Sequence, residues 1–202
     1  MTPRTAAPEP LLPKAGTAVG KGIFVAVAGP SGAGKDSLIA GAQAVFAQDD
    51  RIVFARRVIT RPADTSEPYE SVTPLAFRLR AAEGGFALWW DANGLSYGLP
   101  VSLMDELDRG RVVVANVSRD VTPVIRDRFS RTLIVHVTAS AQTLAARLEH
   151  RGREEAGDRA DRLARALLKD QALEADVRIE NNGALRDGIE QFVAALRSLL
   201  PR

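Results

Sequence analysis

The 202-residue chain carries 46% hydrophobic and 26% charged residues, the balance of one ordinary globular domain. Lys and Arg number 27 against 25 Asp and Glu, and the resulting net charge of +2 is too small for a general nucleic-acid or membrane-surface binder. The absence of cysteine excludes disulfides, thiolate catalysis and cysteine-bound metal, and two histidines leave little for a histidine-rich centre.

Residues 1–20 scatter Pro3, Pro8, Pro10 and Pro13 among Ala, Thr and Gly without apolar periodicity, and they read as a disordered tail. A transit peptide is the alternative, with Arg4 and Lys14 as a thin basic set. No apolar run approaches the roughly 20 residues that a bilayer span needs, so a cytoplasmic protein is expected. The apolar run 23–28 before a glycine-rich turn predicts a strand buried on both faces, with a helix from 37 to 47 after it. A second strand is expected over 52–59, carrying Arg56 and Arg57, and then a loop over 60–72 with Pro62 and Pro68. Thr73 and Pro74 read as N-cap and first residue of a helix that Gly84 and Gly85 close. Residues 86–90 and the stretch around Tyr97 suit an antiparallel pair turning at Asn93-Gly94. Beyond them strands over 111–116, 132–137 and 177–180 alternate with helices over 121–129, 140–150, 158–173 and 184–199. Such alternation implies a parallel sheet built by crossover connections, within one domain over 21–202.

The strongest local signal is Gly29-Pro30-Ser31-Gly32-Ala33-Gly34-Lys35-Asp36-Ser37. It matches Gly-x-x-x-x-Gly-Lys between a predicted strand and a predicted helix, the setting of a phosphate-binding loop. Glycines let the backbone curl until its N–H groups point inward, and the helix N-terminus adds partial positive charge. Lys35 can reach the β- and γ-phosphates of ATP as a movable point charge. The residue after this lysine is ordinarily Ser or Thr, whose hydroxyl meets Mg²⁺; here it is Asp36, followed by Ser37. A carboxylate beside a triphosphate is repelled unless a cation lies between them. Asp36 is therefore expected to hold Mg²⁺ directly or through its water while Ser37 meets a phosphate. The plainer alternative is that Asp36 only favours the helix N-terminus.

These residues, together with Ile59-Thr60-Arg61-Pro62, Tyr97-Gly98 and the segment Arg147-Leu148 with Arg151-Gly152-Arg153, resemble the guanylate kinase family over most of 22–200. The resemblance implies an α/β, three-layer P-loop fold with a small acceptor-binding lobe near 56–98 and a lid near 151–158. Two departures are informative. Members of that family read guanine with a Glu in Phe-x-Glu-Trp, where this chain has Phe86-Ala87-Leu88-Trp89. Their further acidic readers follow the valine-rich strand, where this chain has Asn116-Val117-Ser118-Arg119, and Ala63-Asp64 replaces a second phosphate-binding Arg. With Gly-Lys-Asp-Ser, Arg56 to Pro62 and Tyr97-Gly98-Leu99-Pro100, the chain is similar to the ribose 1,5-bisphosphate phosphokinase branch.

That branch implies ATP and Mg²⁺ as cofactors, ribose 1,5-bisphosphate as acceptor, 5-phosphoribosyl 1-diphosphate as product, and a place in phosphonate breakdown. The partner implied is a small phosphorylated sugar, with no nucleic acid or membrane, and a homodimer stays open. A guanylate kinase and a non-catalytic guanylate-kinase-like binding module are the alternatives. An acceptor phosphate is already ionised and needs no general base, so cations carry the expected chemistry. Arg57, Arg61, Tyr97 and Arg119 are the candidate acceptor contacts. Lys35 with Arg151, Arg153 and Arg162 would stabilise the transferring group, the last three from the lid. Adjacent Arg56 and Arg57 face opposite sides of a strand, and only Arg57 is assigned to the site. Arg147 stands beside the lid residues, with pairing to a nearby acid as the plain reading. Trp89, Trp90 and His136 are expected in the core.

Overall fold

The computed structural model describes residues 21–62, 68–150 and 173–201, the side chains of 148–150 excepted. The expected tail, the lid near 151–158 with Arg151, Arg153 and Arg162, most of the helix expected over 158–173, and Ala63-Asp64 lie outside the described residues.

A five-stranded parallel sheet forms the centre, made of β1 (Ile23–Ala28), β2 (Ile52–Phe54), β7 (Val112–Asn116), β8 (Thr132–Thr138) and β9 (Val177–Glu180). Its strand order is β2-β7-β1-β8-β9. All six residues of β1 are buried because β7 and β8 flank it and helices cover both faces. Side chains alternate across a strand, so β1 feeds two cores. Val25 and Val27 pack with Leu38, Phe192 and Leu196, from α1 (Lys35–Val45) and α6 (Leu185–Arg197). Phe24 and Ala26 face the other way, toward Leu107, Ile125 and Phe129. Those residues belong to or adjoin α3 (Leu103–Asp108) and α4 (Thr122–Arg128), and Phe24 stacks on Phe129 at 4.3 Å between ring centroids.

A second, four-stranded sheet stands beside the first. It comprises β3 (Arg57–Ile59), β4 (Tyr69–Ser71), β5 (Phe86–Ala92) and β6 (Leu95–Pro100), in the order β4-β3-β6-β5, with α2 (Pro74–Ala82) packed on it. Here the structure corrects three sequence readings. The single strand expected over 52–59 is two strands in different sheets. Ala55 N–H still bonds Val114 O at 2.8 Å in the large sheet, whereas Val58 pairs with Gly98 in the small one and packs on Phe77 and Phe86. Apolar residues flank Arg56-Arg57 on both sides because both halves pack inward, against different cores. The loop expected over 60–72 ends in β4, which pairs parallel with β3. The short helix α3 also went unanticipated.

Local chemistry holds elsewhere. Thr73 Oγ1 accepts from Ala76 N–H at 3.2 Å ahead of Pro74, and Asn93 (φ 51°) with Gly94 (φ 74°) turns β5 into β6. The helix α5 (Ala141–His150) follows β8. His136 on β8 is fully buried and Trp90 nearly so, both as core residues. Among the described residues no helix is long and apolar enough to cross a membrane.

Candidate active site

The phosphate-binding loop leaves the buried end of β1 and enters α1 at Lys35. Its curl is forced by close packing. Gly29 has φ 149°, and a Cβ there would stand 1.9 Å from the carbonyl oxygen of Val137 on β8. Gly34 has φ 93°, and a Cβ there would stand 2.4 Å from Nδ2 of Asn181. No L side chain fits either position without moving backbone or breaking a contact.

Asn181 is a site residue that sequence reasoning missed. It follows β9 and is 3% exposed. Its Nδ2 donates to Ala33 O at 2.8 Å, while its own carbonyl accepts from Arg147 Nη2 at 2.9 Å. Arg147 Nη1 lies 3.4 Å from Gly32 O and 3.5 Å from Ala33 O. The acid partner expected for Arg147 is therefore replaced by backbone carbonyls, and the loop is clamped from β9 and α5 together. The only advance signal was an Asn one residue beyond a predicted strand, which is too common to single out. Asn181→Leu is expected to leave the Ala33 carbonyl with only the long Arg147 contact and to cost about 1–3 kcal/mol. A lowered urea midpoint together with weaker ATP binding checks this; unchanged values for both would count against the clamp.

Lys35 Nζ donates to Gly29 O at 2.9 Å and to Pro30 O at 3.0 Å, so its ammonium crosses the mouth of the loop. Asp36, one residue on, is 40% exposed at its side chain. Its Oδ1 accepts from Asn116 Nδ2 at 2.5 Å and lies 3.9 Å from Arg57 Nη2. Ser37 is exposed on the next step of α1. Asn116 ends β7 directly opposite Val27 of β1, which explains how a residue 80 positions away meets the loop.

Arg57 reaches the loop from β3. Its side chain is only 11% exposed, and its guanidinium sits 5.6 Å from the centroid of the Tyr97 ring. Tyr97 stacks on Trp90 at 5.6 Å with the rings 8° apart. Such a cation–aromatic contact contributes about 0.5–2 kcal/mol and holds the planar fork in place. Arg56 turns away, donating to Tyr69 O at 2.8 Å. The structure thus brings Lys35, Asp36, Arg57 and Tyr97 together and adds Asn116.

Arg61 packs on Tyr69, another residue the sequence reading passed over. The Arg61 guanidinium lies 4.5 Å from the ring centroid and its Nε donates to the Tyr69 hydroxyl at 3.2 Å, while that hydroxyl donates to Pro62 O. Arg119 opens a 3₁₀ turn after β7 and lines a cleft with Thr122, Arg126 and Leu173. Leu88 is 4% exposed and packs in one core with Trp90 and Leu99.

Comparison with known proteins agrees with this architecture. Guanylate kinase from Anaplasma phagocytophilum superposes with a TM-score of 0.64, covering 89% of this chain and 87% of that one at 19% identity, which supports the fold. No family model matches the chain. A bifunctional ribose 1,5-bisphosphokinase-thymidine phosphorylase of Azorhizobium caulinodans is 44% identical over 179 residues, 88% of this chain but 26% of that longer protein. Ribose 1,5-bisphosphate phosphokinase of Bradyrhizobium diazoefficiens is 41% identical over 181 residues, 90% of this chain and 91% of that enzyme. Identity of this degree over nearly the whole of both chains, on a P-loop fold whose loop carries Asp36, places the chain in the ribose 1,5-bisphosphate phosphokinase family.

Proposed function

We propose that this chain transfers the γ-phosphoryl group of ATP to the 1-phosphate of ribose 1,5-bisphosphate, yielding ADP and 5-phosphoribosyl 1-diphosphate within phosphonate breakdown. The observation that carries this reading is Arg57. It is rooted in the small sheet yet lies 3.9 Å from Asp36 on the ATP loop, so a cation able to grip an acceptor phosphate stands beside the donor. The bond between the γ-phosphorus and its bridging oxygen breaks as an acceptor phosphate oxygen bonds to that phosphorus. That oxygen is already ionised, so no proton has to be removed, and the work is alignment and charge neutralisation.

Residues Gly29 to Gly34 would cradle the triphosphate through backbone N–H groups, and Lys35 would shift from the loop carbonyls to the β- and γ-phosphates. Ser37 would meet a phosphate. The residues present fit Mg²⁺. Carboxylate oxygens are the hard donors this ion prefers, and the second oxygen of Asp36 has no partner among the described residues. When bound, Mg²⁺ neutralises charge between the β- and γ-phosphates. Asp36 would hold it directly or through water. Arg57, Arg61, Tyr97 and Arg119 would hold the two phosphates and the sugar. Arg151, Arg153 and Arg162, outside the described residues, would close over the transferring group and exclude water.

Leu88 argues against a guanine acceptor. Its burial among apolar side chains puts no hydrogen-bond acceptor at that place, and an unmatched donor edge is rejected strongly. GMP is expected to be phosphorylated with a kcat/KM at least about 10³-fold below that for ribose 1,5-bisphosphate. Parallel assays with ATP decide it, and efficient turnover of GMP alone would return the chain to guanylate kinase activity.

A further inference from the structure

In P-loop nucleotide enzymes the cation is held between a hydroxyl on the residue after the loop lysine and a carboxylate at the end of a neighbouring strand. This chain has a carboxylate, Asp36, at the first place and an amide, Asn116, at the second. The two places touch. Asn116 ends β7, paired to β1 at Val27, and its Nδ2 lies 2.5 Å from Asp36 Oδ1. Asn116 is 8% exposed and Asp36 is half-buried, so the contact is not a surface accident. We propose that the acid and the neutral group have exchanged positions, and that Asn116 is the positioning residue for the metal-binding carboxylate.

The physical reason is charge. A carboxylate at 116 facing Asp36 at this distance would put two like charges together at the mouth of a phosphate site, so an acid on the loop is compatible with a neutral donor on the strand. The Asn116 N–H fixes Oδ1, and Arg57 approaches the same oxygen at 3.9 Å. Both contacts fall on one edge of the carboxylate and leave Oδ2 to face the cation. One negative charge is kept at the site, carried by the loop instead of the strand. The packing of β7 on β1 determines where that charge points.

This inference rests on the Mg²⁺·ATP reading above, and the test separates the two. ATP binding is measured by calorimetry in EDTA and in Mg²⁺, without acceptor or turnover, and the ratio of the two dissociation constants is compared across variants. Asp36→Asn is expected to lower that ratio about tenfold or more. Asn116→Ala is expected to lower it about three- to tenfold, with a smaller change in the dissociation constant in EDTA than in Mg²⁺. The exchanged double variant, Asp36→Asn with Asn116→Asp, returns the charge to the strand and is expected to recover the ratio to within about threefold of the parent. Thermal melts confirm that each variant is folded, and the double variant keeps the test valid if Asn116→Ala does not fold. A normal ratio in Asn116→Ala, or a double variant no better than Asp36→Asn, overturns the exchange while ATP binding by the parent stands. Failure of the parent to bind ATP at all overturns the kinase reading itself.

Discussion

Lys35→Met is expected to lower kcat by about 10³-fold, roughly 4 kcal/mol of transition-state stabilisation, with little change in melting temperature. Met reproduces the length of the side chain and its apolar stem but has no charge and no donors. In the folded protein the ammonium bonds to Gly29 O and Pro30 O, on a half-buried and a buried residue of the loop. Both carbonyls are neutral acceptors, so losing this donor costs the fold about 1 kcal/mol, small beside the loss in kcat. In the proposed reaction the same group faces the oxygens between the β- and γ-phosphorus, where charge builds up as the bond breaks. Steady-state kinetics with a melting curve on the same preparation checks both halves. A kcat within tenfold of the parent would remove Lys35 from the chemistry.

Arg57→Ala is expected to lower kcat/KM for ribose 1,5-bisphosphate by about 10²- to 10³-fold, with Arg57→Lys recovering only part of it. The guanidinium is held against Tyr97, itself stacked on Trp90, so its orientation is prepared before the acceptor arrives. A lysine keeps the charge and loses the planar, two-pronged contact to phosphate. Arg57 also approaches Asp36, so some loss in ATP affinity accompanies the change. The acceptor should suffer most, seen as a larger rise in its KM than in the KM for ATP. An equal rise in both would make Arg57 a donor-site residue.

These two residues show how unevenly the site could be read from the chain. Lys35 was legible because the loop is contiguous: glycines, lysine and the flanking strand and helix lie within a short stretch of sequence, and local geometry alone assembles them. Arg57 was legible by its offset from Arg61 within a resemblance, and the alternation of strand side chains separated it from Arg56. Asn116 and Asn181 could not be weighed in the same way. Asn116 stood out only as part of a segment that departs from a family pattern, and Asn181 follows an alternating strand, Val177-Arg178-Ile179-Glu180; each acquires meaning from a partner some 80 and 148 residues away respectively. Tyr69 was hidden for a different reason, since a three-residue strand after a proline-rich stretch carries no period to detect.

The apolar runs and their alternation with helices determined a parallel α/β sheet, and the loop glycines an anion-collecting turn. A strand buried on both faces must lie inside a parallel sheet, and a Gly-rich turn ending in Lys at a helix start collects anions for reasons that act within a few residues. Tertiary structure decided the division of 52–59 between two sheets, which carries Arg57 across to the loop. It also decided the pairing of Asp36 with Asn116 and the clamp of Asn181 and Arg147 on the loop carbonyls. The small net charge of +2 conveys none of this, because a sum over the chain ignores position. Parallel strands joined by crossovers bring distant segments to one end of the sheet, and only there do the cations and the loop carboxylate become a site.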